Sequence, residues 1–423
     1  MPAAEGSIHR MSDATEFRSV TYRLHPGTRT RHRKLLQTAG ACRYVWNHFL
    51  ACNRRDYATY KLRKALFDAG LVLEKPSPPP VSFQSMGVRF TALRRETPWL
   101  QRLPYAPVRY ALKYQAEAWK RAFAGGGFPR FKARRGDDSF TIPQDVRVRD
   151  GVLSVPKVGR VRLSRRGGNP YAEYPPVKVT VKRVNGKWYC VVVYRLSAVA
   201  RPDNGLALGV DMNCGQVAAS TGELLHMPDM ARLQARKRRY QRMVARRRKG
   251  SNRRNLARHR LARTQRRIAT VRHRWHHETS RVLAGTAGLL AIEDLKTKAM
   301  TRSARGTAEQ PGSNVGQKAG LNREILNTGW SQLRRMLEYK AALVEAVPPM
   351  YTSQRCRRCG RVDPASRKSQ SEFECVHCGH KGNADVNAAL NIMASATGAA
   401  GRRGALALAT PKNRQHVCKR RAA

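Results

Sequence analysis

The 423-residue sequence predicts an α+β protein of several domains: a helical lobe, a small β-barrel, and a mixed α/β domain with a small four-cysteine module inserted in it. Three observations predict this. Hydrophobic periodicity is helical over residues 30–124, alternates like strands from Pro129 to about residue 196, then changes to short apolar strands between long helices. Two C-x2-C pairs lie fifteen residues apart near the C-terminal end. The length exceeds one domain's worth, and 41% hydrophobic content suffices for a real core.

The elements follow in order. Residues 1–16, MPAAEGSIHRMSDATE, are polar and expected to be disordered. VTYRLHP (20–26) alternates as a strand and stops at Pro26. Residues 30–70 read as a helix through Leu35, Leu36, Ala39, Tyr44, Val45, Phe49 and Leu50. After a proline-rich break at 76–80, a second helical block covers about 86–124 and closes at AGGGF, so the helical lobe spans 29–127. FTIP, VRVRDGVLSVP, VGRVRL and VKVTVKRVNGKWYCVVVY are strands, with Asn185-Gly186 between two alternating runs as a hairpin signal. Residues 17–28 and 128–203 together make the barrel, with basic side chains on its outward positions.

The third domain takes in residues 204–350 and 381–396. LALGV (206–210) is a buried strand with Asp211 at its end, and QVAAS suits an antiparallel return. Residues 231–281 hold 20 basic residues and one acid, Glu278, on two long helices broken at KGSN, within a hairpin over 229–284. A stripe through Leu233, Tyr240, Val244, Leu256, Leu261, Ile268 and Val271 docks that hairpin. Leu289–Ile292 is a strand ending in Glu293, residues 298–320 are expected to form a mobile loop, and 326–344 a helix. An extended segment leads into the module at 351–380, and GNADVNAALNI opens an amphipathic helix with Asn383 as its cap. The tail, 397–423, is basic and expected to be disordered.

A formal net charge of +54 excludes an ordinary small-molecule enzyme. The compact state repels itself unless a polyanion neutralises it, and the natural polyanion is nucleic acid. A membrane surface is the competing partner, disfavoured because the sequence shows no run of 18 apolar residues, no lipidation motif and no signal sequence. The expected location is therefore cytoplasmic, associated with the nucleoid. The charge imbalance of the hairpin marks Arg236, Arg239, Arg246, Arg247, Arg253 and Arg254 as phosphate contacts rather than a solvated helix face.

Cys356, Cys359, Cys375 and Cys378 form C-x2-C-x15-C-x2-C, with Gly360 and Gly379 directly after each pair to allow tight turns. Two turns of this kind converge on one tetrahedral ion, and a closed four-thiolate site makes one zinc structural. The competing reading, two disulfides, conflicts with the reducing location. Cys42, Cys52, Cys190, Cys214 and Cys418 are scattered singly as reduced thiols.

Three carboxylates remain. Asp211 and Glu293 end two strands, and Asp385 lies in the first turn of a later helix. Singly they read as a turn former, a surface acid and a helix-start charge. In a ribonuclease-H-like fold those three places converge on one sheet edge, where mutual repulsion is relieved by two magnesium ions suited to phosphodiester hydrolysis. Asp294 is the second choice to Glu293, but strand alternation points it to the opposite side.

The series GVDMN, AIEDL, NTGWSQLRRMLEYKAA and YTSQRCRRCG…FECVHCG…NADVNAALNI resembles the TnpB (OrfB) proteins of insertion sequences. YRLHP…GACRYVWNHFL and GFPRFKARRGDDSF are similar to that family's opening helix and barrel entry, so the resemblance covers about residues 17–395. It implies an RNA-guided DNA endonuclease ancestral to type V CRISPR effectors, with a RuvC-type nuclease domain, a wedge barrel and a recognition lobe. The implied partners are a guide RNA from the transposon end and double-stranded target DNA, with a monomer as the RNA-bound state and no membrane. Asp211, Glu293 and Asp385 match the family's metal-binding acids. Many relatives write Asp-Arg-Asp where this chain has Asn383-Ala384-Asp385, which keeps the needed carboxylate. The resemblance places the reader of the target-adjacent motif at Ser82–Met86, including Phe83 and Gln84, and at Tyr105 and Arg109, which share a helical face. Arg109 suits a bidentate contact to guanine. Arg130 and Lys132, at the barrel entry, are candidate nucleic-acid contacts. A small CRISPR effector, a strand-transfer transposase and a non-cleaving RNA-guided repressor are the alternatives, the last disfavoured by the intact acid triad.

Overall fold

The computed structural model describes residues 16–134, 138–165, 167–197, 201, 203–400 and 407–408. The expected disorder of residues 1–15 lies outside the described residues. Two compact units divide the chain, Met1–Val199 and Ala200–Ala423. Among the described residues, no helix is long and apolar enough to cross a membrane.

The first unit begins with β1 (Glu16–His25), followed by α1 (Arg29–Asp68), whose start is capped where Thr28 accepts from Arg31 N. The helical block expected at 86–124 is three helices, α2 (Phe83–Glu96), α3 (Pro98–Gln101) and α4 (Tyr105–Phe123). Pro98 and Pro104 impose the interruptions, since proline removes the N–H that a continuing helix requires. β2 (Ser139–Ile142), β3 (Arg147–Arg149), β4 (Val152–Val155), β5 (Gly159–Ser164), β6 (Pro176–Val184) and β7 (Lys187–Leu196) complete the unit. Asn185 and Gly186 both have positive φ, +50° and +77°, as a two-residue hairpin between twisted strands requires.

These strands form one antiparallel sheet in the order β2-β6-β7-β1-β5-β4-β3. The N-terminal strand therefore lies inside the sheet, paired with β7 on one side and β5 on the other. Among the described residues β2 and β3, at the two ends of the path expected to form a small β-barrel, do not pair. Helix α4 meets β2 instead, with the hydroxyls of Tyr114 and Thr141 at 3.1 Å. Leu35, Phe49, Met86, Phe90 and Leu112 from the helices share one core with Val181, Trp188 and Val192 from the sheet.

The second unit contains β8 (Leu206–Asn213), β9 (Gln216–Ala219), β10 (Leu224–His226), α5 (Ala231–Ala245), α6 (Asn252–Thr286) and β11 (Leu289–Glu293). Then come α7 (Thr297–Met300), α8 (Val315–Thr328), α9 (Trp330–Lys340), β12 (Leu343–Val347), β13 (Glu372–Glu374), β14 (Lys381–Asn383), α10 (Ala384–Ala400) and β15 (Ala407–Leu408). The main sheet runs β10-β9-β8-β11-β12, with β11 parallel to both β8 and β12, and β15 parallel on β8.

Three expectations are corrected here. Residues 298–320 are not one loop, because α7 and the start of α8 occupy part of them. The helix expected over 326–344 breaks at Gly329, whose φ of +76° ends α8 and starts α9, and its last residues join β12 against β11. The tail is ordered at 397–400 as part of α10 and at 407–408 as a strand, while the remainder lies outside the described residues. The docking stripe also shifts. Ala257, Thr264, Ile268 and Trp275 of α6 are buried, Leu256 is exposed, and α5 buries no residue.

Candidate functional site

The parallel register of β8 and β11 sets Val210 opposite Ile292, so Asp211 and Glu293 follow as the next residues on adjacent strands. Helix α10 packs on β8 and starts where Asn383 Oδ1 accepts from the backbone N–H groups of Asp385 and Val386, at 3.0 and 3.1 Å. That start delivers Asp385 to the other two acids. The approach depends on Gly209, since a Cβ there would lie 1.9 Å from Ala389 O and 2.8 Å from Met393 Cβ.

Asp211 and Asp385 are buried and Glu293 is half-buried. Burial, then the neighbouring charges of Glu293 and Asp385, push the Asp211 carboxyl up to about 7. Burial also raises Glu293. Each acid is oriented by a neutral donor. Asn213 Nδ2 donates to Asp211 at 2.8 Å, Gln216 Nε2 to Asp385 at 3.0 Å, and Thr352 Oγ1 to Glu293 at 2.6 Å. Arg367 adds a cation, with Nη2 3.1 Å from Asp385 Oδ1. Three converging acids, with the charges of two raising the proton affinity of the buried third, are a donor set that a hard divalent cation fits.

Asp294 faces away, as strand alternation requires, and pairs with Lys296 and Arg334, whose hydrogen bonds hold its carboxyl low. Thr352, Arg367, Asn213 and Gln216 were not found by reading the sequence. Asn213 and Gln216 flank the β8–β9 turn, which was a usable signal. Arg367 is one of many cations and had none.

The four cysteines are free thiols that converge. Their sulfurs all lie within 4.8 Å of one another, with Cys356 to Cys378 at 3.7 Å and Cys359 to Cys375 at 3.6 Å. Zinc–sulfur bonds of about 2.3 Å in a tetrahedron place sulfurs roughly 3.8 Å apart, so the cage fits zinc. Gly360 and Gly379, at φ +74° and +67°, close the two turns with N–H bonds to Cys356 O and Cys375 O. The backbone N–H of Cys378 draws the Cys375 thiol down to about 6. Among the described residues the three carboxylates do not gather as tightly as the four thiols. The module is stitched to α10, because Asn387 and Asn391 donate to Arg355 O and Arg357 N donates back to Asn387.

In the first unit, the Arg109 guanidinium lies 4.4 Å over the Phe83 ring and against Gly87, with Nε unpartnered among the described residues. Tyr105 packs on Phe90 with its hydroxyl 3.5 Å from Thr91, and Gln84 is exposed. All four residues therefore lie on or against α2. Arg130 and Lys132 belong to an extended segment strapped to α1. Trp46 Nε1 donates to Arg130 O, Asn47 bonds both backbone groups of Lys132, and Lys132 Nζ sits 3.9 Å over Trp46. Arg236, Arg239, Arg246 and Arg253 are exposed, while Arg247 donates to Arg253 O and Arg254 to Val244 O across the hairpin bend.

A mixed sheet on which three acids converge, an adjoining cluster of four thiols that could hold a metal ion, and an arginine-covered helical hairpin define a strongly basic α/β protein. The chain belongs to the TnpB (OrfB) family of insertion-sequence proteins. It is 34% identical over 394 residues to "Putative RNA-guided DNA endonuclease InsQ" of Escherichia coli (strain K12), covering 90% of this chain and 92% of that one. It is 28% identical over 393 residues to "Putative RNA-guided DNA endonuclease" of Streptomyces pristinaespiralis, covering 89% of each. Residues 177–304 match the OrfB family model described as "Probable transposase", and 330–392 the Cas12f1-like TNB domain. Residues 18–61 match a model described as a helix-turn-helix domain, yet here they form most of β1 and part of the unbroken α1. The fold is similar to that of Cas12f1 in a complex with sgRNA and target DNA, at a TM-score of 0.50 and 14% identity, covering 86% of this chain and 82% of that one.

Proposed function

We propose that this protein is a transposon-encoded, RNA-guided DNA endonuclease that cuts target DNA beside a short adjacent motif. The observation that carries the reading is the convergence of Asp211, Glu293 and Asp385 in a chain of net charge +54 that belongs to this family. The second unit is a RuvC-type nuclease domain, and the sheet and helices of the first serve as wedge and recognition lobe. Asp211, Glu293 and Asp385 would hold two magnesium ions, which supply an activated water and charge neutralisation at the leaving oxygen.

The remaining work falls to the chain itself. Asn213, Gln216 and Thr352 fix the rotamers of the three acids through the bonds described above. Arg367 sets a guanidinium beside Asp385, where it can offset phosphate charge. Cys356, Cys359, Cys375 and Cys378 would hold a structural zinc, and their turns anchor the segment from which α10 begins and so position Asp385 through the backbone. The arginines of α5 and α6 hold guide RNA or its duplex by phosphate contact, leaving base pairing to read the sequence. Phe83, Gln84, Tyr105 and Arg109 read the adjacent motif. The loaded particle is a monomer associated with the nucleoid.

The family description as a transposase favours strand transfer as a second reading. A plasmid assay with two guides and two matching targets separates them. Cleavage should follow the guide, require magnesium, and disappear on changing Asp211, Glu293 or Asp385 to Ala while RNA binding persists. Strand joining, or cutting that ignores the guide, refutes the endonuclease reading.

A further inference from the structure

Tight glycines in this protein have a packing reason. An added Cβ at Gly87 would lie 2.7 Å from Nη2 of Arg109, and at Gly209 it would strike the backbone of α10. Gly40 has no such reason. It sits well inside α1, where glycine costs about 0.5–1 kcal/mol relative to alanine. Among the described residues, and apart from the helix's own backbone, the one atom within 4 Å of an added Cβ there is Nη2 of Arg43, at 3.8 Å. The helix carries a weak residue that its own packing does not require.

What the missing side chain leaves is a groove. Gly40, Arg43, Tyr44, Asn47, His48 and Arg134 line a cavity of about 400 Å³ on the face of α1. Tyr44 is 40% exposed and meets Trp99 of α3, itself 46% exposed, edge to face with centroids 5.1 Å apart. His48 stacks on the same tyrosine at 6.0 Å with planes 28° apart. The ring of Tyr44 is thus braced from two directions, while its hydroxyl is unpartnered among the described residues. Arg43 is ion-paired to Asp138 at 3.1 Å, but Arg183 shares that carboxylate at 3.6 Å, so the three groups retain net positive charge. Arg134 is exposed and makes no ion pair among the described residues. Asn47 is committed to the backbone of Lys132 and acts as wall.

Exposed rings held rigid, guanidiniums beside them and a stretch of helix bare enough for close approach are the chemistry that recognises a nucleotide outside a duplex. We propose that the groove over Gly40 is a nucleotide subsite for single-stranded nucleic acid. A base stacks on Tyr44, whose ring Trp99 braces edge to face, its phosphate meets Arg134 and Arg43, and the sugar–phosphate chain passes over Gly40. This rests on the nucleic-acid-binding reading above and adds to it a defined subsite in the first unit.

Gly40→Ala separates this from a merely structural role. With no nucleic acid over Gly40, alanine there strengthens the helix and changes nothing else. With the subsite, the variant melts at or above the wild-type temperature yet binds more weakly. Tyr44→Ala should lose roughly 5- to 150-fold in affinity, the range for one base–aromatic stack, and Tyr44→Phe should retain most of it. One arm measures guide RNA binding to RNA-free full-length protein. The other measures single-stranded DNA and target DNA binding to the RNA-loaded particle. Weakening in the first arm makes the occupant RNA, and weakening confined to the second makes it a DNA strand. Wild-type binding with equal binding by Gly40→Ala and Tyr44→Ala in both arms overturns the subsite alone. A wild-type protein that binds neither polymer overturns the nucleic-acid reading and the subsite with it.

Discussion

Gly209→Ala tests how the acidic centre is assembled, because the residue lies on β8 two positions before Asp211 and directly beneath α10. The new Cβ would sit 1.9 Å from Ala389 O, a backbone atom with no rotamer by which to escape. Carbon and oxygen in contact stay about 3.3 Å apart, so α10 must lift by roughly 1.4 Å or β8 must buckle. Overpacking of this kind costs about 1–3 kcal/mol. A unit of this size loses about 2–4 °C per kcal/mol, so melting should fall by roughly 2–12 °C. The effect on cleavage should be larger than the effect on stability. Asp385 rides on α10, and a misplacement near 1 Å at a reacting centre costs on the order of 100-fold. Guide RNA binding, which rests on other residues, should hold. The assay is single-turnover cleavage of a matched plasmid across a magnesium titration, beside a thermal melt and an RNA-binding curve. Cleavage within about twofold of wild type with an unchanged melt would show that close approach of α10 to β8 does not position Asp385.

The other predictions concern charge and metal. Burial and its acidic neighbours lift Asp211 from 3.8 to about 7. The folded state therefore binds that proton more tightly than the unfolded chain does, and metal-free stability should fall as pH rises from about 4 to 7. The full effect is on the order of 4 kcal/mol. Urea denaturation in chelator should show this slope, magnesium at pH 8 should recover the loss, and an undiminished slope in Asp211→Asn would refute the assignment. The protein should carry one zinc per chain, and Cys375→Ser should lower both melting temperature and cleavage, since the cage is stitched to the helix bearing Asp385. Zinc-free protein that cuts at the full rate would contradict this. Changing Arg236, Arg239 and Arg246 to Gln should weaken RNA binding evenly across sequences and flatten its salt slope by about 0.7 for each phosphate no longer neutralised. An altered target-motif preference with an unchanged salt slope would instead make the hairpin a base reader.

Most of what depends on neighbours in the chain was readable from the sequence. The cysteine spacing forecast the thiol cage because each turn closes over four residues. Asn185-Gly186 forecast the hairpin, and KGSN the break between α5 and α6, through backbone preferences that need no partner. Asn383 forecast the start of α10, and the apolar runs before Asp211 and Glu293 forecast their strands. The break at Gly329 was missed although its left-handed φ is equally local, because the apolar spacing continues across it.

Only the tertiary structure decided which strands pair and which side chains meet. Nothing local places β1 between β7 and β5 or sends residues 343–347 into the main sheet. Periodicity reports which face of an element is buried, and it carries no label for the element that buries it. The same limit hid Arg367 and Thr352, whose roles exist only because the two strands and α10 bring distant segments together. It hid Gly209 as well, for the demand on that residue comes from a helix some 180 residues later in the chain. The sequence by itself thus determined the local elements and the turns that bring the four cysteines together. The geometry that makes the three acids one site was decided by packing, because the energy of long-range contact depends on partners that no local window contains.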